Sequence, residues 1–195
     1  MKETPLTTND RAGHDGHDDQ DRALVRRCLE NEPDAAPALV DRYQQRLFNV
    51  ALRMLGNVQD AEDVTQTVFL NAFRNLRTFD PRFKFFSWIY RMAVNESLNQ
   101  LKRRKQTVTL GDDSDLMAAG GAAGGADREA EAEDHVGKAL QSLKPDDRAV
   151  VVLKHFMSFS YEEIAEVLGI PVQTVKSRLF TARERLRVAL DGGTE

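Results

Sequence analysis

The sequence predicts an all-α protein of two small helical domains joined by a flexible linker. Two observations carry that prediction. Apolar residues recur at spacings of three and four in almost every ordered stretch, and no stretch gives a convincing alternating hairpin. Between them, residues 111–134 break the pattern with five glycines, seven alanines and eight acids, leaving Leu116 and Met117 as the only sizeable apolar side chains. Such a composition cannot offset the entropy of ordering, so it reads as linker. The glycine doublets at 120–121 and 124–125 follow no strand and sit among acids, which argues against a phosphate loop.

The expected organisation is an acidic disordered tail over 1–21, a first domain over 22–107, the linker over 108–134, a second domain over 135–190 and a short tail over 191–195. The first domain opens with a stripe of Ala23, Leu24, Cys28 and Leu29. A second stripe runs Leu39, Tyr43, Leu47, Val50, Ala51, Met54, Leu55 and ends at Gly56-Asn57, a C-cap and turn. A third follows with Ala61, Val64, Val68, Phe69, Ala72, Phe73 and Leu76, and acids at 60, 62 and 63 crowd its first turn, where the helix dipole favours them. Pro81 discourages helix at Asp80, so Thr78 to Arg82 is a loop. A last helix is expected from about Phe85 to Lys105.

The second domain repeats the habit. Val136, Leu140 and Leu143 form a short stripe, and Pro145-Asp146-Asp147 starts a helix that carries the apolar run 149–153 on to Phe156 and Met157. Ser160 with Glu163 is a capping box at the start of the next helix. Ala165, Gly169 and Val175 then have the spacing of a helix-turn-helix: a small residue for close approach, a glycine for the turn, and a valine packed back between the helices. Off the buried stripe, the second of these helices presents Gln173, Thr174, Lys176, Ser177, Arg178, Phe180, Thr181, Arg183, Arg185 and Arg187. Donors near the start of such a helix suit base edges, and later cations suit phosphates.

Charge agrees with a nucleic-acid partner only when read locally. The formal net charge of −4 hides −3 over 1–22, +5 over 23–108, −7 over 109–135 and +1 over 136–195. Residues 74–105 hold nine basic and two acidic side chains. That stretch also interleaves Phe79, Phe83, Phe85, Phe86, Trp88 and Tyr90 with Arg82, Lys84 and Arg91, a pattern suited to stacking and gripping unpaired bases. Helical aromatics are more often core, so three of the six are expected to be buried. Phe79 and Phe83, flanking Pro81, are expected to be the exposed ones.

Other classes fall away. No apolar run approaches a membrane span, and residues 1–21 lack the apolar segment of a secretory signal. One cysteine, Cys28, excludes an internal disulfide and suits a reducing, cytoplasmic setting. No catalytic constellation, cofactor motif or metal-ligand spacing is evident; His14 and His17 read as part of a solvated tail, and Cys28 as core.

The chain resembles bacterial RNA polymerase sigma factors of the extracytoplasmic-function group, over roughly 22–107 (region 2) and 135–190 (region 4), with the linker in place of region 3. Three motifs carry the resemblance, in the family's order: DAEDVTQTVFLNAFRNL at 60–76, FSWIYRMAVNESLNQLKRRK at 86–105 and SYEEIAEVLGIPVQTVKSRLFTARERL at 160–186. It implies that Asp60, Asp63, Gln66, Thr67 and Leu70 dock on the clamp helices of the polymerase β′ subunit, and that the β-subunit flap is a second contact. It implies minus-ten contacts by Asn75, Phe79, Arg82, Phe83, Lys84, Trp88, Arg91, Asn95, Lys102, Arg103 and Arg104. For the minus-thirty-five element it implies Gln173, Thr174, Lys176, Ser177, Arg178, Phe180, Thr181 and Arg183. An anti-sigma factor is a further implied partner. Gln173 and Thr181 stand where relatives often carry glycine and a basic residue. The competing reading is a stand-alone helix-turn-helix factor that binds duplex DNA through 160–187.

Overall fold

A computed structural model describes the backbone of residues 12–110 and 128–191, and side chains over 18–106 and 135–190. Every described element is helical: α1 (Ala12–Leu29), α2 (Ala35–Leu55), α3 (Val58–Asn75), a 3₁₀ turn (Leu76–Thr78), α4 (Phe85–Leu110), α5 (Arg128–Gln141), α6 (Pro145–Val151), a π-helical turn (Val152–Phe156), α7 (Tyr161–Leu168) and α8 (Val172–Asp191). Of the expected tail over 1–21, residues 12–21 belong to α1; residues 1–11 lie outside the described residues. Helix likewise reaches Leu110 on one side of the linker and resumes at Arg128 on the other.

The helix boundaries follow local chemistry. Gly56 ends α2 with φ 70, and Asn57 caps α3 by accepting the Asp60 N–H at 2.9 Å. The positive φ favours glycine at 56, and a Cβ there would also press on the Gln141 side chain at 3.0 Å. The capping box forms as expected: Ser160 Oγ accepts from the Glu163 N–H at 3.1 Å, and Glu163 Oε2 accepts from the Ser160 N–H at 2.8 Å.

α1 to α4 form one bundle. Asp21 is 1% exposed, and it joins α1 to α2 by accepting from the Tyr43 hydroxyl and pairing with Arg42 at 2.7 Å. Burial first, and the carboxylate second, push the Tyr43 phenol well above its usual range. α5 to α8 form the second unit, with Val175 fully buried between α7 and α8.

The two units share a continuous core. α6 does not run on as α-helix to Met157: it widens into the π turn, and Ser158 then takes φ 58. That turn delivers Phe159 into a slot between Phe86 (ring centroids 5.4 Å apart) and Tyr90 (4.9 Å) on α4. Phe156 lies under the Arg53 guanidinium of α2, 3.7 Å from centroid to Cζ. Two arginines stitch the contact by capping helix C-termini across it. Arg148, 4% exposed, donates to the carbonyls of Met54, Gln141 (2.8 Å) and Leu143 (3.1 Å) and to the Gln141 side chain. Its burial lowers its pKa to about 10. From the other side, Arg91 of α4 donates to the Glu166 and Val167 carbonyls at the end of α7, the latter at 3.2 Å.

Candidate functional site

On α3, one exposed face carries the residues expected to dock: Asp63 and Gln66 are exposed, Leu70 is 50% exposed and Thr67 is half-buried. Asp60 differs. Its carboxylate pairs with Arg104 and accepts from Gln100 at 3.3 Å, so it fastens the start of α3 to α4. Beside this face lies a groove of about 580 Å³ between α2 and α3. Val40, Gln44, Gln45 and Phe48 line it from α2, and Phe69 and Phe73 from α3, with their rings stacked 6.2 Å apart. The sequence reading missed the α2 wall. Phe48 was its signal, an aromatic set just off the buried stripe.

The aromatic cluster is more buried than expected, with four of the six residues in the core. Phe79, expected outside, is 8% exposed: it packs edge-on to Phe85 at 5.5 Å and against Trp88 at 5.3 Å, because the 3₁₀ turn folds it back over the start of α4. Phe83 is the exposed member, at 57%. Arg82 points outward but is tied to Asp80, which raises the arginine's pKa and lowers that of the carboxylate through their hydrogen bonds. Asn75 is exposed and Lys84 half-buried, with its Nζ 5.5 Å from the Phe86 ring.

Along α4, Trp88, Arg91, Asn95 and Lys102 fall on one side of the helix at spacings of three, four and seven, with Trp88 half-buried and the others exposed. Arg103 pairs with Glu96 and Arg104 with Asp60, so these two are held against the bundle. Arg91 is the stripe member that α7 engages.

The expected reading helix, α8, is differently placed. Gln173, Lys176, Ser177, Thr181 and Arg183 are exposed, Phe180 is 71% exposed, and Thr174 and Arg178 are half-buried. Lys176 Nζ lies 5.8 Å from the Tyr161 ring. Cys28 is half-buried against the core, and burial pushes its thiol pKa up. No described helix is long and apolar enough to cross a membrane.

Known proteins share these arrangements. Residues 39–107 match Sigma-70 region 2, and residues 134–186 match Sigma-70, region 4. The chain is 32% identical to the ECF RNA polymerase sigma factor SigW of Bacillus subtilis, covering 85% of this chain and 94% of SigW. It is 33% identical to the ECF RNA polymerase sigma-E factor of Escherichia coli, covering 85% of this chain and 92% of that one. Among solved structures it is similar to CnrH in complex with the cytosolic domain of CnrY (28% identity, TM-score 0.69, 89% of this chain and 99% of that chain). It is also similar to the sigma factor RpoE in complex with the anti-sigma factor NepR from Bartonella quintana (26% identity, TM-score 0.66, 81% and 98%). The chain belongs to the sigma-70 family, in its extracytoplasmic-function group. It is a sigma factor, a subunit that gives RNA polymerase its promoter.

Proposed function

We propose that α3 docks on core RNA polymerase through Asp63, Gln66, Thr67 and Leu70, and that α4 with its preceding loop then traps the opened minus-ten strand while α8 reads the minus-thirty-five duplex. The observation that carries this reading is the line of Trp88, Arg91, Asn95 and Lys102 along α4, next to the exposed Phe83. Flipping a base costs a few kcal/mol, and stacking on one aromatic returns about 1–3 kcal/mol. In this reading Phe83 and Asn75, both exposed, hold one extruded base, and Arg82, Lys84 and Arg91 meet its phosphates. Nothing in this work requires bond chemistry from the chain itself, and it acts where core polymerase is, in the cytoplasm.

The packed arrangement has to open for this. Elements about 25 base pairs apart are separated by roughly 85 Å at 3.4 Å per step. A closed chain of 195 residues has a radius of gyration of about 16 Å. Separation of the two units along the intervening segment also releases Arg91 from α7. One similar structure holds CnrH with the cytosolic domain of CnrY, and another holds the sigma factor RpoE with the anti-sigma factor NepR. We assign this chain a protein inhibitor of the same kind, one that keeps the units together. A stand-alone duplex binder would leave the α3 face and the α4 stripe without a task.

Run-off transcription with purified core polymerase across genomic DNA fragments tests the reading. Specific start sites that depend on this chain are the expected result; their absence, with the chain folded and bound to core, would reject it.

A further inference from the structure

The polar surface of α8 has an uncharged centre interrupted by Glu184 and two cationic edges. At 100° per residue, the side opposite buried Val175, Leu179 and Ala182 carries Gln173, Ser177, Phe180, Thr181 and Glu184. One edge carries Lys176 and Arg183, seven positions apart, and then Arg187, with Lys176 beside Tyr161 of α7. The other, toward α6, carries Arg178 and Arg185, again seven apart. A helix seated in the major groove turns its centre to the bases and its edges to the two walls of phosphates.

Acids meet both edges: Arg187 pairs with Glu184 of its own helix at 3.6 Å, whereas the acids on the α6 edge come from another helix. Asp147 accepts from Arg185 Nη1 at 3.1 Å, and Asp146 lies 3.9 Å from Arg178 Nη1 across a cleft of about 320 Å³. Asp147 has a side chain 13% exposed against 43% for Arg185, so the carboxylate is the fixed partner and the guanidinium the outward one. This contact occupies one of the five guanidinium N–H donors and leaves a forked face for a second anion. A carboxylate here has two opposite effects on DNA. It repels phosphate, and it removes the rotamer freedom that a loose arginine would lose on gripping one.

We propose that the second effect wins: Asp147 is a positioning residue that holds Arg185 as a phosphate clamp on the α6 edge, leaving base reading to the centre of α8. The proposal rests on the sigma-factor reading above. Nothing in the sequence pattern singled out Asp147, whose role in a helix start already accounted for it.

The test uses full-length chain with core polymerase, binding duplex fragments that carry start sites recovered by run-off, over a range of salt. Arg185→Ala is expected to weaken every fragment alike, by roughly three- to tenfold, and to make the slope of log K against log salt shallower by about 0.9. Asp147→Ala is expected to weaken binding by a similar factor, Asp147→Glu to restore it, and the double variant to bind no worse than Arg185→Ala alone. Asp147→Asn, which keeps shape and removes charge, provides the same comparison if the alanine variant melts early. Unchanged or tighter binding by the Asp147 variants overturns the proposal, because the acid would then only neutralise. An unchanged salt slope for Arg185→Ala overturns it as well, with specific starts still intact. Loss of all specific starts in the unmodified chain would instead reject the sigma-factor reading, and this proposal with it.

Discussion

The two surfaces proposed to meet DNA are built by helices in opposite circumstances. α4 is packed against α1, α2, α3, α6 and α7, so only a narrow line of side chains escapes. α8 touches α5, α6 and α7 on one side and leaves the rest of its circumference in solvent. Aromatic residues therefore mean different things on each. On α4 and its loop they are mostly core, whereas Phe180 on α8 is 71% exposed. Cations differ too: α4 holds Arg103, Arg104 and Arg91 on protein acceptors, while α8 ties its α6-edge arginines to neighbouring acids. A basic-aromatic run reports a nucleic-acid surface only after the number of packed neighbours is known.

The largest expected effect comes from removing the ring that joins the two units. Phe159→Ala empties the slot between Phe86 and Tyr90 and should destabilise the chain by about 3–5 kcal/mol in denaturant unfolding. A loss below about 1 kcal/mol would mean that the slot collapses or was never filled, and that α4 is more enclosed than α8 only by degree.

Next, the two loop phenylalanines should separate. Phe79→Ala removes a buried ring and should cost stability, again on the order of 3 kcal/mol. Phe83→Ala, at a 57% exposed site, should change folding by less than about 0.5 kcal/mol yet depress run-off transcription from closed duplex. A template with a pre-melted bubble should recover most of that activity, since the opening cost of a few kcal/mol is already met. Equal defects on both templates would remove the melting role from Phe83.

A smaller contrast lies along α3. Asp63→Lys should weaken core-polymerase binding with little movement of the melting temperature, because the side chain is exposed. Asp60→Ala should do the reverse in part, lowering stability by roughly 0.5–1 kcal/mol through loss of the Arg104 pair. Matching melting temperatures for the two variants would place Asp60 on the docking face after all.

The smallest effect concerns pH. Partial desolvation, with Arg183 and Lys154 nearby, lowers the pKa of His155 although the residue is exposed, so the folded chain protonates it less readily than the unfolded chain does. Its contribution is fully present above about pH 6.5, the unfolded value. It declines as pH falls toward the lower folded value. His155→Gln should flatten that part of the stability profile; an unaltered slope would show that other groups set it.

Sequence alone determined the all-helical class, the turn glycines at 56 and 169, the Ser160 capping box and the helix-turn-helix, because periodicity and caps are local: each depends on residues within one or two turns. It also identified the outward members of α3 and α8, whose exposed faces are the complement of a buried stripe. Tertiary structure alone decided that Phe79 is core and Phe83 is not, that Asp60 holds Arg104, and that a π turn carries Phe159 into α4. It also decided that Arg91 and Arg148 cap helices distant in sequence by more than 70 residues. A linear pattern states which face of a helix is apolar, but not how many neighbours cover it. Whether an arginine meets solvent, a phosphate or another helix's last carbonyls depends on contacts closed by chain far away, and no local spacing encodes those.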